Sequence, residues 1–117
     1  MSRHDDLVRL RHMRDYALEA QGMIAGKDRV DLDNNRMLEL ALVRLVEIIG
    51  EAAGRVTPET RRKLPQIPWT DVVAMRNRLI HGYDSVDHDI LWTTVSDDLP
   101  VLVDSIDRLI RELGDAP

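Results

Sequence analysis

Apolar residues recur at steps of three and four along nearly the whole chain, and only a helix gathers residues so spaced onto one face. Leu7, Leu10, Met13, Ala17, Ala20 and Ile24 form one such stripe and predict a helix over residues 5–24, with Gly26 as its stop. Asp31, Asp33 and Asn34 offer capping oxygens before a longer helix that reaches Gly54. Its apolar face holds Leu38, Ala41, Leu42, Leu45, Ile49, Ala52 and Ala53. Leu40 and Ile48 fall outside that stripe, so this helix should be covered on more than one side, and the extra surface suits a second subunit. Thr57, Pro58 and Glu59 read as the cap, first-turn proline and first-turn acid of a short helix that Pro65 and Pro68 end. A further helix opens at Trp69-Thr70-Asp71, carries Val72, Val73, Met75, Leu79 and Ile80, and should stop at Gly82, a residue suited to the left-handed position beyond a C-terminus. Asp87 or Asp89 can open the last stretch, from Ile90 to Leu113, which Pro100 should bend or split near Asp98-Leu99. Phenylalanine is absent and β-branched residues are scattered, so no strand is expected. The fold class is all-α: an up-and-down bundle of four to five helices with short connections, one domain over residues 1–117.

A chain of 117 residues, 44% of them apolar, is long enough to close one core. It has no cysteine, which fits a reducing compartment, and the cytoplasm is the expected address. The charged N-terminus lacks the apolar centre of a signal peptide, and no run approaches the roughly 20 apolar residues of a membrane span. The net charge of −5 argues against a protein that coats nucleic acid by bulk positive charge, so any such contact must be local. The charge is uneven. Residues 55–81 hold Arg55, Arg61, Arg62, Lys63, Arg76 and Arg78 against Glu59 and Asp71, whereas residues 84–98 hold five aspartates and no Lys or Arg. This is either a functional basic patch or two solvated faces of opposite sign.

Arg76 falls near the middle of the apolar stripe of its helix, where a core residue belongs. A guanidinium is costly to desolvate, so Arg76 must reach an acidic partner, snorkel to an edge, or face a subunit interface that holds an anion. Glu47 and Glu51 are candidates to pair with it or with a basic group across an interface. His81 lies about 140° around the helix from Arg76, so the two can converge only at the helix end or across a two-fold axis. Asn77, four residues before His81, shares its face and could orient the imidazole. In a last turn, His81 would feel the negative end of the helix dipole, which suits a phosphate contact or service as a general acid, though such a histidine can also be a plain capping residue. The four histidines form no HxxxH or HxxE pair, so no metal site is expected. Neither Ser85 nor Ser96 has the setting of an activated nucleophile, and no Gly-rich phosphate loop occurs. Acid–base chemistry without a metal is what remains.

The stretch Arg76-Asn77-Arg78-Leu79-Ile80-His81-Gly82-Tyr83 resembles the R-x4-H-x-Y signature of the HepT-like toxins, a branch of the HEPN superfamily. Residues 47–53, Pro65-Gln66-Ile67-Pro68-Trp69, Leu91-Trp92 and Asp98-Leu99-Pro100 also look like landmarks of that family, in order. The resemblance implies a HEPN-like helical homodimer acting as a metal-independent endoribonuclease without a cofactor, the toxin of a toxin–antitoxin system. It implies that Arg76 holds the scissile phosphate, that His81 moves protons as the ribose 2′-OH attacks, and that Asn77 supports them. It also implies that Tyr83 is the residue a nucleotidyltransferase antitoxin of the MntA type silences by AMPylation, in a complex that can be larger than a dimer. A non-catalytic HEPN nucleotide-binding or scaffold partner of that transferase is the alternative the same resemblance leaves open. A third reading makes Arg76 a structural ion pair in a bundle without a site.

Overall fold

The computed structural model describes residues 3–82 and 84–113. Among the described residues three long helices carry the body: α1 (Arg3–Ile24), α3 (Arg36–Gly54) and α8 (Leu99–Leu113), with α1 packed along both of the others. Five short ones complete it: α2 (Arg29–Asp33), α4 (Pro58–Arg62), α5 (Trp69–Val73), α6 (Met75–Leu79) and α7 (His88–Thr93). The all-α class is as expected, but regular helix is interrupted at three places, and each has a local cause.

The first lies before α3, where a separate short helix, α2, stands at residues read only as capping candidates. The cap of α3 is Asn35, whose side chain accepts from the Leu38 N–H at 3.0 Å, and not Asp31, Asp33 or Asn34. The second falls at Ala74, between α5 and α6. Gly50 on α3 lies so close to α5 that a Cβ there would stand 3.1 Å from the Val73 carbonyl oxygen and 3.2 Å from that of Val72. With the Val73 carbonyl turned to α3, the Asn77 N–H donates instead to Ala74, at 3.0 Å. Any residue larger than glycine at position 50 would push α5 away. The third break is the one Pro100 predicts: a wide π-helical turn, Thr94–Asp98, joins α7 to α8, where proline has no N–H to continue the regular ladder.

The core is continuous through Leu10, Met13, Leu42, Ile49, Leu91 and Ile106, all fully buried. Val46 is fully buried beside the predicted stripe of α3, and Ala41 within that stripe is half-buried. Thr57 caps α4 and Pro58 opens it, as read from the sequence. Arg61 belongs to the fold more than to any basic patch. Its guanidinium donates to the carbonyls of Ala53 (2.9 Å), in the last turn of α3, and Val56 (3.1 Å), just past it, and lies 5.7 Å from the Trp69 ring centroid. The Trp69 indole in turn donates to the carbonyls of Arg61 and Leu64. No helix among the described residues is long and apolar enough to cross a membrane.

His88, at the start of α7, is clamped by two carboxylates some fifty positions earlier in the chain. Its Nδ1 meets Asp33 at 2.7 Å and its Nε2 meets Glu39 at 2.5 Å, which ties α7 to the end of α2 and the first turn of α3. Only an imidazolium donates from both nitrogens at once. The bond to Asp33, and then that to Glu39, raise the His88 pKa against the opposing effect of burial. A raised pKa means that this stabilisation is fully present below the ordinary imidazole value of about 6.5 and is lost as pH rises through the higher folded-state value. Thermal melts of the wild type and His88→Gln across pH 5.5 to 9 should therefore differ most at the acid end and converge at the alkaline end.

Candidate active site

Arg76 sits on α6, two residues past the break at Ala74. Val72, Met75 and Leu79 are buried, Val73 is 41% exposed, and the Arg76 side chain is 48% exposed. The sequence placed this arginine in the middle of a buried stripe, and the structure corrects that: Arg76 faces outward. Its Nε donates to Glu47 Oε2 at 2.7 Å, so Glu47 is the acidic partner. Glu47 is also paired with Arg44, one turn earlier on α3. The bond from Arg44, followed by that from Arg76, holds the Glu47 carboxyl below the usual carboxylate range against a smaller opposing effect of burial.

Glu47, Gly50, Glu51, Gly54, Val73, Arg76 and Asn77 line one open groove of about 450 Å³ between α3 and the α5–α6 corner. Four of the residues singled out from the sequence thus meet in one place: Glu47, Glu51, Arg76 and Asn77. A cationic guanidinium at the edge of a solvent-filled groove, held at one nitrogen by a carboxylate, is oriented and still open to an anionic ligand.

His81 is elsewhere than expected. Helix α6 ends at Leu79, and Ile80 is extended, with φ −94° and ψ 124°. His81 therefore lies beyond the helix, not in its last turn, and is no part of the groove lining. Gly82 does take the left-handed conformation, with φ 76°, but in the loop that turns the chain back, not as the direct helix stop. The loop is closed by an isolated antiparallel bridge between Ile80 and Val86, by the His81 N–H donating to Ser85 at 2.6 Å, and by the Asp87 N–H donating to Leu79 at 2.7 Å. Among the described residues no hydrogen bond joins Asn77 to the imidazole. The partner of the ring is Asp87, whose Oδ2 lies 3.3 Å from Nε2. Asp87 was visible in the sequence only as a helix opener, which it also is: its Oδ1 accepts from the Ile90 N–H at 3.0 Å. That bond, with a further contribution from His81, keeps the Asp87 carboxyl below its ordinary value against the opposing effect of burial. Tyr83 lies outside the described residues. Among the described residues, no group of three or more His, Cys, Asp or Glu side chains is arranged to hold a metal ion.

The family described as ribonuclease HepT-like matches residues 13–109, a segment that includes Glu47, Glu51, Arg76, Asn77, His81 and Tyr83. Among curated proteins, the chain is 43% identical over 67 residues to "Putative RNase MJ1380" of Methanocaldococcus jannaschii, a match that covers 57% of this chain and 62% of that protein. It is 33% identical over 86 residues to "Putative RNase MJ0125" of the same organism, covering 74% of each. It is 39% identical over 75 residues to "Probable ribonuclease HepT" of Thermococcus cleftensis, covering 64% of this chain and 68% of that protein. No solved structure matches the chain. With five-sixths of its length inside the matched segment, the chain belongs to the ribonuclease HepT-like family.

Proposed function

We propose that this protein is a metal-independent endoribonuclease, the toxin half of a toxin–antitoxin pair. The observation that carries the reading is that the whole R-x4-H-x-Y motif lies inside the family match, with its arginine on an open groove and its histidine exposed on the adjoining loop. In this reaction the ribose 2′-OH attacks the adjacent phosphorus, the P–O5′ bond breaks, and the products end in a 2′,3′-cyclic phosphate and a 5′-hydroxyl. Arg76 neutralises the charge that builds on the phosphoryl oxygens, and His81 carries the proton between the attacking and leaving oxygens. Neither task needs a protein nucleophile or a metal.

The working unit is a homodimer. Met37, Leu40, Arg44, Glu47 and Glu51 follow at steps of three and four on α3, so they form one face. On that face Met37 is 81% and Leu40 52% exposed, while Ile48, which the sequence also placed outside the core stripe, is half-buried. A second copy seated there would cover these side chains and bring the two grooves side by side. Tyr83 is the site at which a nucleotidyltransferase antitoxin of the MntA type adds AMP, because a charged nucleotide two residues from His81 would repel RNA and obstruct the cleft. A second reading, a non-catalytic scaffold for that transferase, has one observation in its favour: Arg76 is already neutralised by Glu47.

The deciding experiment is cleavage of end-labelled RNA by the purified, unmodified protein in excess EDTA. The ribonuclease reading expects fragments with cyclic phosphate ends at undiminished rate. A folded protein that cuts none of a broad RNA panel, with or without divalent metal, would hand the lead to the scaffold reading.

A further inference from the structure

We propose that Asp87 is the positioning residue of His81, a role that rests on the ribonuclease reading. The His81 side chain is 60% exposed, so packing does not choose its rotamer, and an unconstrained exposed imidazole exchanges among several on a nanosecond scale. Proton transfer needs the ring held. The loop provides the means. Gly82 turns the chain, the Ile80–Val86 bridge closes it, and the Asp87 N–H bonded to the Leu79 carbonyl returns Asp87 to the end of α6.

Asp87 is itself held firmly. One carboxylate oxygen, Oδ1, caps α7 through Ile90, which leaves the other, Oδ2, aimed at His81 Nε2. The next residue, His88, is fixed between Asp33 and Glu39, so the start of α7 is anchored on α2 and α3. The support runs from the buried Glu39 through His88 and Asp87 to the exposed ring. With Nε2 donating to the carboxylate, Nδ1 is the nitrogen that gives and takes the proton in the reaction. Asp87 touches no substrate in this arrangement; it acts through His81.

A cap alone would also explain an aspartate at this place, and the test separates the two. Serine caps helices nearly as well as aspartate but is too short to reach the ring. kcat and KM for an RNA oligonucleotide would be measured for the wild type, Asp87→Ser, His81→Gln and the double variant, each with its thermal melt. Asp87→Ser should melt close to the wild type yet lose about 10- to 100-fold in kcat, the scale of misplacing a catalytic group, with KM unchanged. In the His81→Gln background the same change should have no further effect, because its only route to the chemistry is gone. Asp87→Asn, which keeps the cap and a polar contact, should recover part of the loss. Wild-type kcat in Asp87→Ser, or an equal loss with and without His81, would overturn the proposal. If the wild type cuts no RNA, the ribonuclease reading fails by itself. The pairing is then judged by nuclear magnetic resonance: an exchange-protected His81 Nε2–H signal, present in the wild type and lost in Asp87→Ser, supports it, and its absence from the wild type overturns it.

Discussion

His81→Ala is expected to cleave RNA at least about 100-fold more slowly than the wild type, within the range typical of losing a general acid or base, while melting at the same temperature. The two halves of that expectation have separate grounds. Loss of activity follows from removing the group that carries the proton. Unchanged stability follows from the 60% exposure of the side chain and, among the described residues, its polar side-chain contact to Asp87 alone, since surface substitutions of this kind stay within about 0.5 kcal/mol. Arg76→Ala should behave alike, for a different reason. Removing a charge that stabilises a developing oxyanion has an effect of about 100- to 1000-fold, whereas the Arg76–Glu47 pair, 48% and 26% exposed, is a surface pair contributing at most about 1 kcal/mol. Arg76→Lys should recover part of the rate, because lysine keeps the charge but not the planar guanidinium that meets a phosphate at two points. Cleavage rates and melting curves on the same preparations check all three variants. The pattern that would defeat the reading is the reverse: Arg76→Met melting far lower with cleavage intact, as a structural ion pair requires.

That reverse pattern was a real alternative on the sequence, and it shows where sequence reading stopped. Signals that act over one turn were mostly legible: Thr57 with Pro58, Asp87 as one of two offered openers of α7, and Pro100 as the divider of the last helix all stand, although the cap of α3 is Asn35. The break at Ala74 was not, because alanine is the best helix former and nothing nearby forbids the helix. Its cause lies on α3, where Gly50 admits the Val72 and Val73 carbonyls. Arg76 follows Val73 by three residues on the exposed edge of this segment, and both line the groove while Val72, Met75 and Leu79 fill the core. The departure of His81 from the helix was hidden in the same way, since it depends on a bridge from Ile80 to Val86 across the loop. Family likeness identified the motif residues; the fold chooses Glu47 over Glu51 as the partner of Arg76 and adds Asp87 beside His81, which the sequence did not suggest.

The largest loss of stability from a single polar substitution is expected at Asp6, a residue that reads in the sequence as an ordinary first-turn acid. Asp6 is 2% exposed and accepts three hydrogen bonds from residues some fifty positions away: from the Thr57 N–H at 3.1 Å, the Thr57 hydroxyl at 2.6 Å and the Thr60 hydroxyl. It thereby pins α1 to the first turn of α4, and α4 precedes the loop that enters α5 and the motif. Asp6→Ala would leave buried donors without their acceptor, at about 3 kcal/mol or more. For a domain of this size that is a fall of about 10 to 15 °C in Tm. Burial alone would raise the Asp6 pKa, but the bonds from Thr57 and Thr60 outweigh it and the net shift is downward. A lowered pKa makes the contribution complete above the ordinary aspartate value of about 3.9, and it is lost as pH falls through the lower folded-state value. The gap in Tm between the wild type and Asp6→Asn, which keeps the shape but not the charge, should therefore be widest near neutrality and close in strong acid. A gap that stayed constant down to pH 2 would mean that the amide fails through its misplaced donor alone, and that the charge of Asp6 contributes nothing.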